Sequence, residues 1–443
     1  MSNKPSVNIF WFRRDLRLED NAGLFYALKS GKPVLPLFIY DTNILSHIEN
    51  KRDTRVEFIY NSLNEIQLSL QENGSSLVTE HGTPIDVFKK MLQKYEVGSV
   101  FTNHDYEPYA MDRDEKVAAL LLEHGISFID FKDQVIFEKN EIVKDDGKPY
   151  TTFTSYCNKW KKKLQEIDFK KYRTEALLNN FFKFMNDRVL SLKDIGFQET
   201  GIIFPPKKFN KEITGNYGSY RDFPFREATS RLGVHLRFGT ISIRDIAAKA
   251  LNHSEAWLNE LVWREFFMMI LYHFPYVLER SFKQEFDNIR WRNDEREFGL
   301  WCSGKTGYPL IDAGMRELKQ TGYMHNRVRM TAASFLVKNL LIDWRWGERF
   351  FADNLLDYEL ASNNGNWQWI AGTGADASPY FRVFNPVTQQ QKFDPDFEYI
   401  RKWIPEFGTS AYPEPVVDLN YSRERAIEAY KSVLSRFKNT MVA

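Results

Sequence analysis

The chain has 443 residues, more than one ordinary core accommodates, and its 43% apolar and 27% charged content is globular, neither disordered nor collagenous. Sixty basic residues face fifty-nine acidic ones, so a net charge of +1 excludes a uniformly cationic nucleic-acid binder but leaves room for a local basic patch. Cys157 and Cys302 are too few for a disulfide framework or a four-cysteine metal site, and no apolar run is long enough to span a membrane.

The opening stretch, MSNKPSVNIFWFRRD, has no long apolar run before a small-residue cleavage site, so no signal peptide and a cytoplasmic location are expected. Residues 6–12 (SVNIFWF) and 33–40 (PVLPLFIY) read as buried strands. Residues 54–70 carry apolar side chains at helical spacing, and 99–102 and 126–131 read as further short strands. Strands alternating with helices imply a Rossmann-like parallel sheet with helices on both faces, opening a crevice at its carboxyl edge. No G-x-G-x-x-G follows the first strand, which argues against a dinucleotide fingerprint there. This α/β domain is expected over 1–131.

Residues 132–200 read as a connector. Within it, 158–173 (NKWKKKLQEIDFKKYR) holds seven basic and two acidic residues, which suits a solvated face or a nucleic-acid contact. From 201 to 443 an all-α domain is expected. Residues 257–272 (WLNELVWREFFMMILY) and 326–342 are too apolar all round for surface helices. Nine of the eleven tryptophans lie from Trp257 to Trp403, so the aromatic content belongs to the helical half.

Four segments could carry chemistry. Glu260 and Arg264 are one helical turn apart, with Trp257 and Trp263 three residues either side of Glu260. A carboxylate on such a face is paired, protonated or ligand-bound: a Glu260–Arg264 pair is one reading, a carboxyl aimed at a polar ligand the other. Asn326, Arg329 and Met330 share a half-polar helix face that suits either a heteroaromatic ring edge or capping and core filling. The run Asn363-Asn364-Gly365-Asn366 reads as a turn, sending Trp367 and Trp369 in different directions. Thr229-Ser230-Arg231-Leu232-Gly233 suits a phosphate or an ordinary helix cap. No segment resembles H-E-x-x-H, a P-loop or G-x-S-x-G, and no metal site is expected.

Together these segments resemble the photolyase/cryptochrome family across nearly the whole chain. WLNELVWREF, GKTGYPLIDAGMREL, MHNRVRM, SFLVKNLLIDWRWGE, NNGNWQW and PYFRVFNP occur in the family's order, in the manner of a bacterial class I cyclobutane pyrimidine dimer (CPD) photolyase. The resemblance implies an α/β antenna domain, a linker and a helical domain holding FAD, active in its reduced form. It assigns FAD contacts to Tyr217, Thr229, Ser230, Arg231, Leu232, Trp257, Arg264, Asn326, Arg329, Asp357, Glu359 and Asn363. Arg329 and Asp357 match an ion pair beside the flavin, and Asn363 the residue facing flavin N5. Gly233 stands where a serine is usual, and Glu359 where an aspartate is.

For substrate, the resemblance assigns Glu260, Asn326 and Met330 to the dimer, Trp263 and Trp369 to its aromatic walls, and Arg221, Arg327 and Arg382 to DNA phosphates. Trp367, Trp344 and Trp291 match an electron-delivering chain, with Trp291 outermost. It implies a monomer, without obligate protein partner or membrane, that flips dimers out of UV-damaged duplex DNA and splits them with one electron from photoexcited FAD. Glu260, neutral through burial, would hydrogen-bond the developing anion. Asn363 argues against a cryptochrome photoreceptor, where an Asp is expected, as does the short tail after Pro415. His325 alone, without a paired histidine, argues against a (6-4) photolyase. Asn103 and Glu107 match part of a folate-contacting stretch, leaving methenyltetrahydrofolate, a deazaflavin, another flavin or no antenna open.

Overall fold

The computed structural model describes residues 4–167, 169–186 and 188–442. Its described residues form two compact units, neither continuous in sequence: one gathers 1–138, 163–209 and 231–252, the other 139–162, 210–230 and 253–443.

In the first unit five parallel strands run β1 (Ser6–Phe12), β2 (Val34–Asp41), β3 (Val78–Gly82), β4 (Glu96–Asn103) and β5 (Ser127–Phe131), in the order β3-β2-β1-β4-β5. The crossovers are α1 (Ala22–Lys29), α2 (Thr54–Glu72), α3 (Pro84–Lys94) and α4 (Pro108–Glu123). Caps set their starts: Asn21 accepts from Leu24 N, Asp53 from Val56 N, and Thr83 from Asp86 N with Pro84 at the first helical position. Val7, Ile9, Trp11, Leu35, Leu37 and Ile39 pack with Val87, Phe88 and Met91 of α3 and Val117 and Leu121 of α4. The alternate positions, Phe10 and Phe12 among them, are equally buried on the other face.

β3 is the strand the sequence pattern does not disclose. Apart from Val78 its residues, VTEHG, offer no apolar side chain, and none is fully buried, because it is an edge strand held by backbone pairing to β2. Nor is 132–200 a single connector. Residues 163–209 cluster with the α/β unit, where Phe181 bridges Val34, Phe182 N donates to Val34 O at 2.8 Å, and Leu190 N donates to Thr79 Oγ1 at 2.9 Å.

The second unit is helical in its described residues. Its functional elements are α5 (Phe153–Leu164), α6 (Glu255–His273), α7 (Asn326–Ser334), α8 (Trp344–Asn354), α9 (Leu360–Ala371) and α10 (Leu419–Val442). On α5 the lysines sit outside, Lys159 paired with Asp145 and Lys161 with Glu255, while Trp160 is buried and donates to Glu265 Oε1 of α6 at 2.5 Å. Residue 168 of that basic segment lies outside the described residues.

The Asn363–Asn366 run is not a turn. It lies inside α9, and packing explains why: a Cβ on Gly365 would sit 2.1 Å from Phe267 Cδ1, so Gly365 lets α9 close onto α6. Gly347 does the same for α8, where a Cβ would lie 2.2 Å from Trp367 Cη2. After α7 the chain passes through a π-turn at Phe335–Asn339. There Lys338 is fully buried, donates to Ala371 O at 2.8 Å and lies 3.6 Å over the Tyr430 ring of α10; burial pushes its amine well below the usual range.

Candidate cofactor and DNA-lesion site

A cavity of about 470 Å³ opens in the helical unit, within the size range of cofactor sites. Residues from α6, α7, α8, α9 and the 217–229 stretch line it. The helix-forming patterns in these segments bury one face in the shared core and leave polar side chains on the cavity wall.

Its inner wall combines apolar surface with fixed polar groups. Phe267, Ala333, Phe351, Leu355, Trp367 and Ile370 supply the former. Arg329 of α7 donates to Asp357 at 2.9 Å and 3.1 Å, and its Nε to Met324 O at 2.6 Å. Arg264 donates to Glu359 Oε1 at 3.2 Å, and Ser362 Oγ to Glu359 Oε2 at 2.9 Å. Asn363 Nδ2 donates to both Glu348 O and Glu348 Oε1 at 3.0 Å, which commits its N–H groups and leaves its Oδ1, an acceptor, for a partner that donates. Burial raises the Glu348 carboxyl, with Asn363 opposing. Thr229 Oγ1 meets Tyr323 Oη at 3.2 Å, and Tyr217 lines the same cavity.

These donors fit a heteroaromatic cofactor with a polar tail. A flat apolar wall faces stacking, a guanidinium–carboxylate pair can meet ring heteroatoms, and an oriented amide can meet one ring N–H. Among the described residues no group of His, Cys, Asp or Glu is placed to hold a metal ion.

The mouth carries the lesion candidates. Glu260, Trp263, Asn326, Met330 and Trp369 all line the cavity. Trp263 stacks on Phe153 of α5, centroids 3.6 Å apart and planes within 3°. Asn326 Nδ2 lies 3.9 Å from Met330 Sδ. The pair proposed for Glu260 from helical spacing is not the one formed. Arg264 is turned to Glu359, and Glu260 accepts instead from Arg221, which reaches it from a different segment. Burial raises the Glu260 carboxyl and Arg221 opposes that shift.

Among the proposed phosphate ligands, Arg327 donates to Asp222 Oδ1 at 2.7 Å and lies 4.4 Å over Phe393, while Arg382 is exposed over Phe384 at 5.1 Å. Of the 229–232 stretch only Thr229 lines the cavity; Ser230, Arg231 and Leu232 do not, and Arg231 takes a left-handed backbone with φ of 49°. Trp257 is buried away from the cavity wall. Trp367 and Trp344 are buried in one core cluster, and Trp291 packs half-buried against it. Trp367 also meets the fully buried Trp301 edge-on at 6.3 Å.

The antenna candidates occupy the other unit. Asn103 ends β4 and is spent internally, donating to Asp15 Oδ2 at 2.6 Å and Asn21 Oδ1 at 2.8 Å and accepting from Gly23 N. Glu107 accepts from Arg14 at 2.7 Å and Arg237 at 2.8 Å. Sequence reasoning missed Glu348, Asp222 and Phe153. Glu348 closes the quoted motif SFLVKNLLIDWRWGE and Asp222 adjoins Arg221, but nothing local marks Phe153 as the partner of Trp263.

Residues 8–175 match the DNA photolyase family, and 257–411 match the FAD binding domain of DNA photolyase. The chain is 35% identical to a deoxyribodipyrimidine photo-lyase of Agrobacterium fabrum, with 98% of this chain and 99% of that one covered. Its fold is similar to a bacterial class III photolyase from Agrobacterium tumefaciens, with TM-score 0.85, 33% identity and 98% of each chain covered. It is also similar to the Synechocystis sp. cryptochrome, with TM-score 0.84, 26% identity, and 97% of this chain and 100% of that one covered. Matched to these relatives along nearly its full length, this chain belongs to the DNA photolyase/cryptochrome family.

Proposed function

We propose that the protein is a deoxyribodipyrimidine photo-lyase, a light-driven repair enzyme that takes a cyclobutane pyrimidine dimer from duplex DNA into the cavity and splits it. The observation that carries this reading is the arrangement of one cavity: an oriented Asn363 and the Arg329–Asp357 pair on the inner wall, with Glu260, Met330, Trp263 and Trp369 at the mouth. FAD in its reduced form, when bound, supplies photoexcited one-electron donation.

Each remaining task falls to residues of the chain. Arg329, Asp357, Asn363, Arg264 and Glu359 would hold the ring, with Tyr217 and Thr229 toward the tail. Trp263 and Trp369 would offer stacking surfaces to splayed bases, whose poor stacking as a dimer lowers the extrusion cost. Glu260, when protonated, would donate a hydrogen bond to a thymine carbonyl as charge develops on it. Arg221, Arg327 and Arg382 would bind phosphates. Trp367, Trp344 and Trp291 would relay electrons inward. In this reading the α/β unit, built on 1–131, is the antenna domain, and the helical unit, which takes most of 201–443, is the catalytic domain of a cytoplasmic monomer without an obligate protein partner. Asn103 and Glu107 would sit near a folate or deazaflavin antenna. No helix among the described residues is long and apolar enough to cross a membrane.

The test is photochemical. Purified protein should be yellow, release FAD on denaturation, and clear dimers from irradiated DNA in blue light but not in the dark. A colourless protein, or clearance that ignores light, would refute the reading.

A further inference from the structure

Two guanidinium groups at the mouth are already engaged in the free protein. Arg221 Nη1 donates to Glu260 Oε1, and Arg327 Nη2 donates to Asp222 Oδ1. Both pairs touch water: the side chains are 38% and 36% exposed in the first, 19% and 40% in the second. They can therefore be separated by a stronger anion. A phosphodiester offers fork-shaped acceptors to Arg and draws on the whole backbone charge of the duplex. Each arginine spends one Nη nitrogen on its carboxylate, so a phosphate gripped in a fork by both Nη nitrogens displaces it.

The two carboxylates then face different futures. Asp222 and Glu260 are almost equally exposed, 40% and 36%, and in the repair reading the dimer seats against Glu260 and covers it. The cation facing it is Arg221; Arg264 on its own helix is turned to Glu359, Arg329 to Asp357 and Arg327 to Asp222, while Tyr217 and Asp222 supply no positive charge. Burial already lifts the Glu260 carboxyl, and Arg221 is what opposes it. A dimer seated in the mouth would remove the remaining water as the phosphate removed Arg221. Both changes favour the neutral acid.

We propose that the free protein stores Arg221 and Arg327 on Glu260 and Asp222, and that a bound DNA phosphate takes over both arginines while Glu260 takes up one proton from solvent. This rests on the repair reading above. The balance is simple: an O–H bond forms on Glu260, the proton comes from the buffer, and the phosphate replaces the lost carboxylate charge at the arginine. Glu260 thus becomes a hydrogen-bond donor only when substrate is in place.

The experiment is calorimetric titration of FAD-loaded protein with duplex DNA carrying one dimer, in buffers of different ionisation heat. Uptake of about one proton per complex is expected. Glu260→Gln should abolish it. Asp222→Asn should keep it and bind several-fold more tightly, because nothing then competes with phosphate for Arg327. Affinity should rise as pH falls through the titration of Glu260 in the complex and level off below that of free Glu260. Dimer binding without proton uptake, or with equal uptake in Glu260→Gln, overturns this proposal and leaves the repair reading standing. Failure of the flavin-loaded protein to bind dimer DNA would remove both.

Discussion

The α/β unit and the helical unit use the same guanidinium–carboxylate chemistry to opposite ends. At the sheet's switch point, outside the ends of β1 and β4, the pairs close on one another. Arg17 and Arg244 share Asp133 at 2.7 Å and 2.8 Å, Arg14 reaches Asp105 and Glu107, and Arg13 reaches Asp114. In the helical unit the corresponding pairs line a cavity, and Arg329–Asp357 and Arg221–Glu260 each leave more than a fifth of both side chains exposed. The closed pairs fix backbone, and the open ones are those that the proposed reading turns toward a ligand.

The comparison breaks most visibly at its carboxylates. Asp133→Ala would leave buried Arg17 without its carboxylate and Arg244 with Asp20 alone, and should cost about 3–5 kcal/mol of stability, read as a lowered denaturation midpoint. Destabilisation below about 1 kcal/mol would show that these pairs do not hold the unit together. Asp105 adds a pH signature. Burial works against its ionisation, but Arg14, Arg13 and their neighbours win and hold it at about 2, below its ordinary 3.8. Its folded-state value is depressed, so its contribution is fully present above pH 3.8 and is lost as pH falls through about 2. Acid titration of stability in wild type and Asp105→Asn should diverge across that window.

Asp357→Ala makes the opposite prediction. Stability of the unliganded chain should change little, while FAD retention falls by roughly tenfold or more, as expected for a charged hydrogen bond worth about 1.5–3 kcal/mol. Unchanged FAD affinity would remove that pair from the cofactor site. Glu260→Ala should keep its yellow colour but repair about tenfold less per absorbed photon, within the roughly 1–3 kcal/mol of a lost buried hydrogen bond. The smallest effect is expected at exposed Arg382. Arg382→Ala should weaken DNA binding independently of sequence and lower the salt slope by about 0.9 for one lost phosphate contact.

Legibility in the sequence follows the same division. The apolar strands β1, β2 and β4 announce themselves because most of their residues are buried, and β5 shows through its Phe and Ile residues although it is an edge strand and only partly buried, whereas β3 is mostly polar and is fixed by its neighbour. Local turn chemistry at Asn363–Asn366 misleads because Gly365 answers to Phe267, a residue nearly a hundred positions away. The motifs place Glu260, Met330, Asn363 and Trp369 on one cavity. Helical spacing could not reveal that Glu260 pairs with Arg221 rather than Arg264, since that choice belongs to packing between segments. Asn103 shows the converse: its motif suggests a ligand contact, yet every hydrogen bond recorded for its side chain closes within the α/β unit.

The most direct measurement is light-dependent repair by purified, prereduced protein of duplex DNA carrying one defined cyclobutane dimer, beside matched DNA carrying one (6-4) lesion and dark controls. The account predicts recovery of pyrimidine ultraviolet absorbance on the cyclobutane substrate alone, and only in light. No recovery by a protein with bound, reducible FAD, or recovery on the (6-4) substrate instead, would contradict it.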